Sequence, residues 1–331
     1  MKLEDYRYEL PASLIAQYPL RDRADSRLMV VDRKTGRISH TIFRRIRDYL
    51  HSGDVLIVNN TRVFKARLFA RKQTGGKVEI LLVRPSSARK WEAMISHAAR
   101  VKEGQRFFLD QDTYATVEEK LEGARVLMTL SDEADKIIDR FGLVPLPQYI
   151  KRLPVLDDET AYQTTFAKNA GSIAAPTAGL HFTEDILASI RGKGVAVSEI
   201  TLHIGPGTFK PIRTAHVEQH TMDSEFYEIT NDSAHRFEAS KRIVAVGTSV
   251  CRALETYIRT GERSAWSHLF IYPGVKFRLV NSMITNFHLP CSTPLLLVCA
   301  FAGRDLIFKA YEEAISEKYR FLSYGDPMLI V

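Results

Sequence analysis

Between Phe64 and Leu130 the chain is built of short runs rich in β-branched and aromatic residues: "FKARLFARK", "GKVEILLVR", "KWEAMISHAARV", "QRFFL", "TYATVEEK" and "GARVLMTL". Turn formers or charged residues separate them. Close-set short strands of this kind suggest a small β-barrel or sandwich. The flanks have a different texture. "SRLMVVDRKTGRISHTIF" reads as a strand, a Thr-Gly turn and a second strand or helix start, and "RRIRDYL" as a short amphipathic helix. "SGDVLIVNNTRV" is a buried strand with a polar exit at Asn59, Asn60, Thr61 and Arg62. A Pro-punctuated connector runs from Asp139 to Gly171. After it, "TEDILASIRGKGVAVSEITLHI" is a helix with a Thr183 cap, a Gly192 stop and a following strand. "KRIVAVGTSVCRALETYIR" is strand, Gly turn and helix. "HLFIYPG" and "LVNSMITNF" read as strands, and the run after Pro294 and "RDLIFKAYEEAISEKYR" as helices. Strand–helix alternation on both sides of an all-β block predicts the α/β class. The expected organisation is a mixed α/β catalytic domain, residues 1–61 and 151–331, interrupted by an inserted small β-barrel domain, residues 62–150.

The 331 residues suffice for two domains, and 45% apolar with 26% charged residues is a globular balance. The most apolar run, "PLLLVCAFAG", is half the length of a membrane helix, so no membrane association is expected. The start, "MKLEDYRYEL", lacks the apolar stretch of a signal peptide. Cys251, Cys291 and Cys299 form no CxxC and are odd in number, which suits reduced thiols and a cytoplasmic protein. Net charge is +7, yet Arg62 to Arg106 alone holds 12 Lys or Arg against 3 Glu, a local +9. That run is the candidate electrostatic footprint for an anionic partner, with Arg62, Arg71, Lys72 and Lys77 as candidate RNA-binding residues. The alternative is a solvated barrel face.

Three nearly uncharged islands rich in small and turn-forming residues each carry one histidine: His181 in "GSIAAPTAGLHFT", His203 in "LHIGPGTF" and His288 in "TNFHLPCST". Glycine lets backbone approach a ligand, and a neutral imidazole exchanges protons near pH 7. Tight turns in a core are the competing reading. No HExxH or finger spacing exists, and His216 and His220 are only generically spaced, so no metal is expected. GxSxG is absent and no cysteine adjoins a histidine, which leaves covalent hydrolysis without support. "GTSVCRALE" follows a strand and opens a helix. Gly247, Thr248 and Ser249 there read either as an anion site for a carboxylate or phosphate, or as a simple N-cap.

At these loops the chain resembles the S-adenosylmethionine:tRNA ribosyltransferase-isomerases of queuosine biosynthesis. The resemblance runs nearly end to end, through "DYRYELPASLIAQYPL", "SRLMVVD", "VNNTRV", "PLPQYI", "YQTTFA", "AAPTAGLHFT", "LHIGPGTF", "GTSVCRALE", "FIYPG", "TNFHLPCST" and "YRFLSYGDPMLI". It implies an α/β catalytic domain interrupted by a β-barrel. It also implies a reaction on tRNA carrying 7-aminomethyl-7-deazaguanine at the wobble position. The ribosyl unit of S-adenosylmethionine moves onto the aminomethyl nitrogen and rearranges to the epoxycyclopentanediol of epoxyqueuosine, while adenine and methionine leave. S-adenosylmethionine is then a co-substrate, no cofactor is needed, and a monomer is expected. Under this resemblance His181, His203 and His288 converge around the ribose with Glu225 as the catalytic set. Ala178, Gly179, Gly205, Gly207, Thr208, Thr248, Ser249, Arg252, Asn286 and Asp326 bind the nucleoside, and Glu225 or Asp326 orients an imidazole and steadies the sulfonium. The chain departs from the family pattern at Asp223 (usually His), Ser249 (usually Thr), Cys291 (usually Lys) and Pro327 (usually Ala). Two other readings stay open: a basic RNA-binding module without catalysis, and a small-molecule methyltransferase, against which the lack of a GxGxG after an early strand counts.

Overall fold

The computed structural model describes residues 1–209 and 212–331, without the side chains of Thr208 and Phe209. It divides into two compact units, one of residues 1–62, 147–152 and 160–331, the other of residues 63–146 and 153–159.

The larger unit is built on a nine-stranded sheet. Its strands are β1 (Arg27–Val31), β2 (Ile38–Ile42), β3 (Asp54–Asn59), β12 (Ala196–Leu202), β13 (Glu225–Glu228), β14 (Arg242–Val246), β15 (Ser264–Ser267), β16 (Ser282–Asn286) and β17 (Pro327–Ile330), in the order β15-β13-β12-β3-β14-β16-β17-β1-β2. The centre, β12-β3-β14-β16, is parallel, as βαβ connections require. Buried strands read as continuous apolar runs because both faces are covered. In β3, Val55 and Ile57 enter one core while Leu56 and Val58 enter the other. The first core is closed by α5 (Thr248–Thr260), α6 (Thr293–Ala302) and α7 (Arg304–Ser316), the second by α3 (Glu184–Gly192) and the turn of helix Phe43–Tyr49.

Two local readings change. The stretch "RRIRDYL" lies in a 3₁₀-helix, Phe43–Tyr49, because Phe43 and Ile46, three apart, are its two buried residues and three residues complete a 3₁₀ turn. "HLFIYPG" is not a strand. The ladder between β15 and β13 ends at Ser267 opposite Glu225, and Leu269, Phe270 and Ile271 turn inward to pack against the core.

The smaller unit holds a closed six-stranded barrel, ordered β10-β7-β6-β5-β8-β9. Its strands are β5 (Arg67–Lys72), β6 (Lys77–Pro85), β7 (Lys90–Ile95), β8 (Arg106–Phe108), β9 (Tyr114–Lys120) and β10 (Arg125–Leu130). Burial alternates along β10 and most of β6, the period-two signature of a barrel wall with one face inward. Leu68, Ile80, Phe107 and Val117 fill the inside, and Ala134 and Ile137 of α1 (Ala134–Phe141) join the same core. Closure leaves no free sheet edge. A short helix α2 (Asp158–Ala161), the helix α4 (Asn231–Ala239) and a two-stranded ribbon, β4 (Thr61–Val63) with β11 (Asn169–Ser172), complete the described strands and α-helices. Among the described residues no helix is long and apolar enough to cross a membrane.

Candidate active site

Strands β12, β3, β14 and β16 deliver their C-terminal ends to one edge of the sheet, where an open α/β sheet leaves its ligand crevice. A cavity of about 540 Å³ lies there, lined by the segments that follow β14 and β16 among others. That size suits a small-molecule site.

After β14 the chain turns at Gly247, with φ 97° and ψ 153°, a conformation that strains a residue bearing Cβ. Gly247 occupies the cap position of α5, and no side chain among the described residues caps that helix; Thr248 and Ser249 lie in its first turn rather than capping it. All three residues line the cavity. The first-turn amides and the helix macrodipole make this wall receptive to an anion.

Glu225 and Arg252 line the cavity as a buried pair, 4% and 5% exposed. Arg252 Nη2 donates to Glu225 Oε2, and the Gly205 amide donates to Oε1 at 2.9 Å. Arg252 Nη1 is buried and has no hydrogen-bond partner among the described residues. Glu225 is therefore held by a guanidinium and a backbone amide.

His288 follows β16 and lines the cavity. Tyr8 Oη donates to its carbonyl, and its own amide donates to Tyr311 Oη at 3.0 Å, so two phenols fix the backbone on either side. Its Nε2 lies 2.8 Å from Thr285 Oγ1. Burial pulls the imidazole down to about 3, so the ring is neutral at physiological pH.

His181 stands behind the cavity wall. Its Nε2 is 3.3 Å from Oδ1 of Asn286, which lines the cavity, and its Nδ1 is 3.0 Å from Ser26 Oγ. Asn286 Nδ2 donates to the carbonyls of Leu322 (2.9 Å) and Ser323 (3.3 Å), which leaves Oδ1 as the acceptor and sets Nε2–H as the donor on His181. Burial lowers this ring to about 4.

His203 is not among the described residues lining this cavity. Its Nδ1 lies 2.8 Å from Thr61 Oγ1, and its ring packs on Gly171, where an added Cβ would sit 2.8 Å from the imidazole. Burial lowers its pKa as well. The nucleoside set divides in the same way. Ala178, Thr248, Ser249, Arg252 and Asn286 line the cavity. Gly179 lies under Phe166, 2.6 Å from a notional Cβ, and Gly207 against Asp223, at 2.5 Å; Gly205 supplies the amide that holds Glu225. The Thr208 side chain lies outside the described residues. Asp326, 2% exposed, accepts the amides of Arg27 (3.1 Å) and Arg320 (2.8 Å) at the turn before β17, and burial raises its carboxyl. It holds no imidazole in the described contacts.

Several lining residues were not singled out from sequence, namely Tyr149, Lys151 and Tyr162 from the connector and Thr285 from β16, and Cys291, noted only as a departure from the family pattern, lines the cavity too. Their signal was present only as quoted strings, "PLPQYI" above all. Cys291 adopts φ 55° and its amide donates to Tyr6 at 3.1 Å; burial pushes its thiol up. Among the described residues no group of three or more His, Cys, Asp or Glu is placed to hold a metal ion.

In the smaller unit much of the basic run is neutralised. Lys65 pairs with Glu159, Arg67 with Glu79, Arg84 with Glu92, Arg89 with Asp132 and Lys90 with Glu118. Arg71, Lys72 and Lys77 flank the turn joining β5 to β6 and carry no ion pair among the described residues. Arg62, in β4, is exposed.

The family model for a queuosine biosynthesis protein matches residues 3–330. A relative named S-adenosylmethionine:tRNA ribosyltransferase-isomerase, from Sulfurihydrogenibium sp., is 46% identical over 336 residues, covering all of both chains. One of the same name from Caldanaerobacter subterraneus subsp. tengcongensis is 47% identical over 345 residues, again covering all of both. The solved structure of an S-adenosylmethionine tRNA ribosyltransferase from Thermotoga maritima is similar with a TM-score of 0.57 and 36% identity, over 99% of this chain and 100% of that one.

Proposed function

The chain belongs to the queuosine biosynthesis family of S-adenosylmethionine:tRNA ribosyltransferase-isomerases, and from that membership we propose that it transfers the ribosyl unit of S-adenosylmethionine to 7-aminomethyl-7-deazaguanine at the wobble position of a tRNA and isomerises it, giving epoxyqueuosine with release of adenine and methionine. The observation that carries this reading is a single cavity presenting a buried carboxylate, an uncapped helix N-terminus and a neutral imidazole together. S-adenosylmethionine offers a matching set of charges: a sulfonium, a carboxylate and an acidic hydrogen on C5′.

In this reading the methionyl carboxylate lies on the first turn of α5, against Thr248, Ser249 and their amides. Glu225, fixed by Arg252 and Gly205, faces the sulfonium. The sulfonium acidifies the C5′ hydrogens, and loss of one gives an ylide that expels adenine. His288, neutral and held by Thr285, Tyr8 and Tyr311, takes that proton. A proton must also reach the departing adenine, and the ring that has taken one from C5′ can return it there. As adenine leaves, the C4′–O4′ bond breaks, C4′=C5′ forms and C1′ becomes an aldehyde. The neutral aminomethyl nitrogen adds to C4′ and gives up a proton. The C5′ ylide so regenerated closes on C1′ to make the five-carbon ring, and the resulting alkoxide displaces methionine as a neutral thioether to form the epoxide. His181 acts at one remove, orienting Asn286 at the wall. The three free thiols and a tRNA substrate fit a cytoplasmic protein.

The test uses purified protein, S-adenosylmethionine and tRNA bearing the aminomethyl-deazaguanine. Adenine and methionine should appear in equal amounts, with the epoxycyclopentanediol on the nucleoside by mass spectrometry. His288→Gln should slow adenine release by about 10²-fold, the scale of a lost general catalyst, while S-adenosylmethionine still binds. Stoichiometric S-adenosylhomocysteine would overturn the transfer and favour a methyltransferase. Binding of tRNA without any turnover would favour the RNA-binding module.

A further inference from the structure

Two segments of the larger unit run side by side at one lip of the cavity. Gln17 ties them together: its Nε2 donates to the Tyr149 carbonyl at 3.0 Å, its Oε1 accepts the Lys151 amide at 2.7 Å, and its own carbonyl accepts Arg152 Nε at 2.9 Å. Ile15, Tyr149 and Lys151 of this pair of segments line the cavity. Tyr18, the next exposed side chain along the first segment, is 59% exposed. The Arg152 guanidinium lies over its ring, 4.3 Å from the centroid. Arg320 Nη2 donates to the Tyr18 carbonyl and fixes the backbone beneath it.

The Tyr18 ring is thus held by a cation on one side while more than half of the residue stays exposed. The surroundings are basic. Arg21 and Lys151 are exposed and carry no ion pair among the described residues, and the nearby acids Asp22 and Asp25 are both paired to Arg44. An aromatic face open to stacking, backed by guanidinium and flanked by ammonium and guanidinium groups, is what unpaired nucleotides require: bases stack on the ring and phosphates meet the cations. Duplex RNA presents no base face and would not use the ring.

We propose that this lip, with Tyr18 as its platform and Arg152, Lys151 and Arg21 around it, receives unpaired nucleotides of the RNA substrate beside the base that enters the cavity. The proposal rests on the tRNA reading above and adds the surface that reading lacks. It places single-strand recognition on the larger unit, at the lip of the cavity itself.

The test is fluorescence anisotropy with a labelled anticodon stem–loop RNA and, separately, a blunt duplex of the same stem. Calorimetric binding of S-adenosylmethionine monitors the cavity. Tyr18→Ala should weaken stem–loop binding about 5- to 150-fold, the span of one lost base–aromatic stack, with duplex and S-adenosylmethionine binding unchanged. Tyr18→Phe should keep stem–loop affinity within about twofold, because the ring and not the hydroxyl does the stacking. Lys151→Gln should flatten the salt dependence by about 0.7 in log–log slope, one phosphate contact on a single strand. Wild-type stem–loop binding that Tyr18→Ala leaves intact overturns the lip and leaves the tRNA reading standing. Equal loss of stem–loop and duplex overturns stacking as the cause. A wild-type protein that binds no stem–loop overturns both.

Discussion

At the scale of single residues, burial keeps two of the three loop histidines neutral and sets what they do to stability. His181 falls from 6.5 to about 4 and His288 to about 3, both chiefly through desolvation. The sign follows from linkage. Above 6.5 the folded and unfolded rings are both neutral and pH has no hold on them. As pH falls below 6.5 the unfolded ring takes a proton and the folded one does not, so stability is lost progressively down to the folded pKa. For His181 the loss is roughly 2 kcal/mol by about pH 5. His181→Gln keeps an N–H for Asn286 and cannot titrate. The expected outcome, by urea unfolding, is that wild type loses about 2 kcal/mol more than the variant between about pH 7.5 and 5; a difference that stays flat would show that burial is not what holds the ring neutral. The single histidine in each small-residue loop was visible in the sequence. Which ring reaches the cavity was not, because that depends on strand order: β3 and β14 stand between the end of β12, before His203, and the end of β16, before His288.

At the scale of elements, the barrel strands were legible because each run of β-branched and aromatic residues ends at a turn former. The six quoted runs match β5 to β10 in order, with β6 running one residue further, to Pro85. The helix after Gly247 was legible for the same reason, a glycine between an apolar run and a 3.6-residue period. "HLFIYPG" misled because its composition suits a strand, while its chain position lies past the end of the only ladder it could join. No sequence signal linked Glu225 to Arg252, because the bond crosses from β13 to α5 and exists only once both pack on the same face. Its energetics give a sharp expectation. Removing the guanidinium from a carboxylate 4% exposed leaves a buried charge without its cation, and Arg252→Met should cost about 3–5 kcal/mol in chemical denaturation. Adding Glu225→Gln to that variant should restore most of the loss. If single and double variants unfold alike, the two side chains are not energetically coupled.

At the scale of the whole molecule, net charge is a poor guide to where RNA binds, since folding decides which charges remain available. The +9 run from Arg62 to Arg106 is met by acids that follow it in sequence, with Glu118, Asp132 and Glu159 each taking one of its cations, while Glu79 and Glu92 inside the run take two more. Among the cations of the run left without an ion pair in the described residues, Arg71, Lys72 and Lys77 cluster on the β5–β6 hairpin, where the register places them at adjoining positions: Arg71 faces Lys77 directly. Like charges opposed across a ladder destabilise the hairpin unless an anion lies between them. The cluster therefore suits phosphate, and its contribution should be electrostatic and indifferent to sequence. Arg71→Glu, Lys72→Glu and Lys77→Glu together should weaken full-length tRNA and lower the log–log salt slope by about 2–3 units, three phosphate contacts' worth. The same triple variant should bind the isolated anticodon stem–loop with a smaller loss than Tyr18→Ala suffers, because charge on the barrel does not replace a stacking face. Measured by anisotropy across a salt series, with the unfolding temperature as a check on the fold, an unchanged slope would mark the hairpin as a solvated face and leave the cavity lip to carry the RNA.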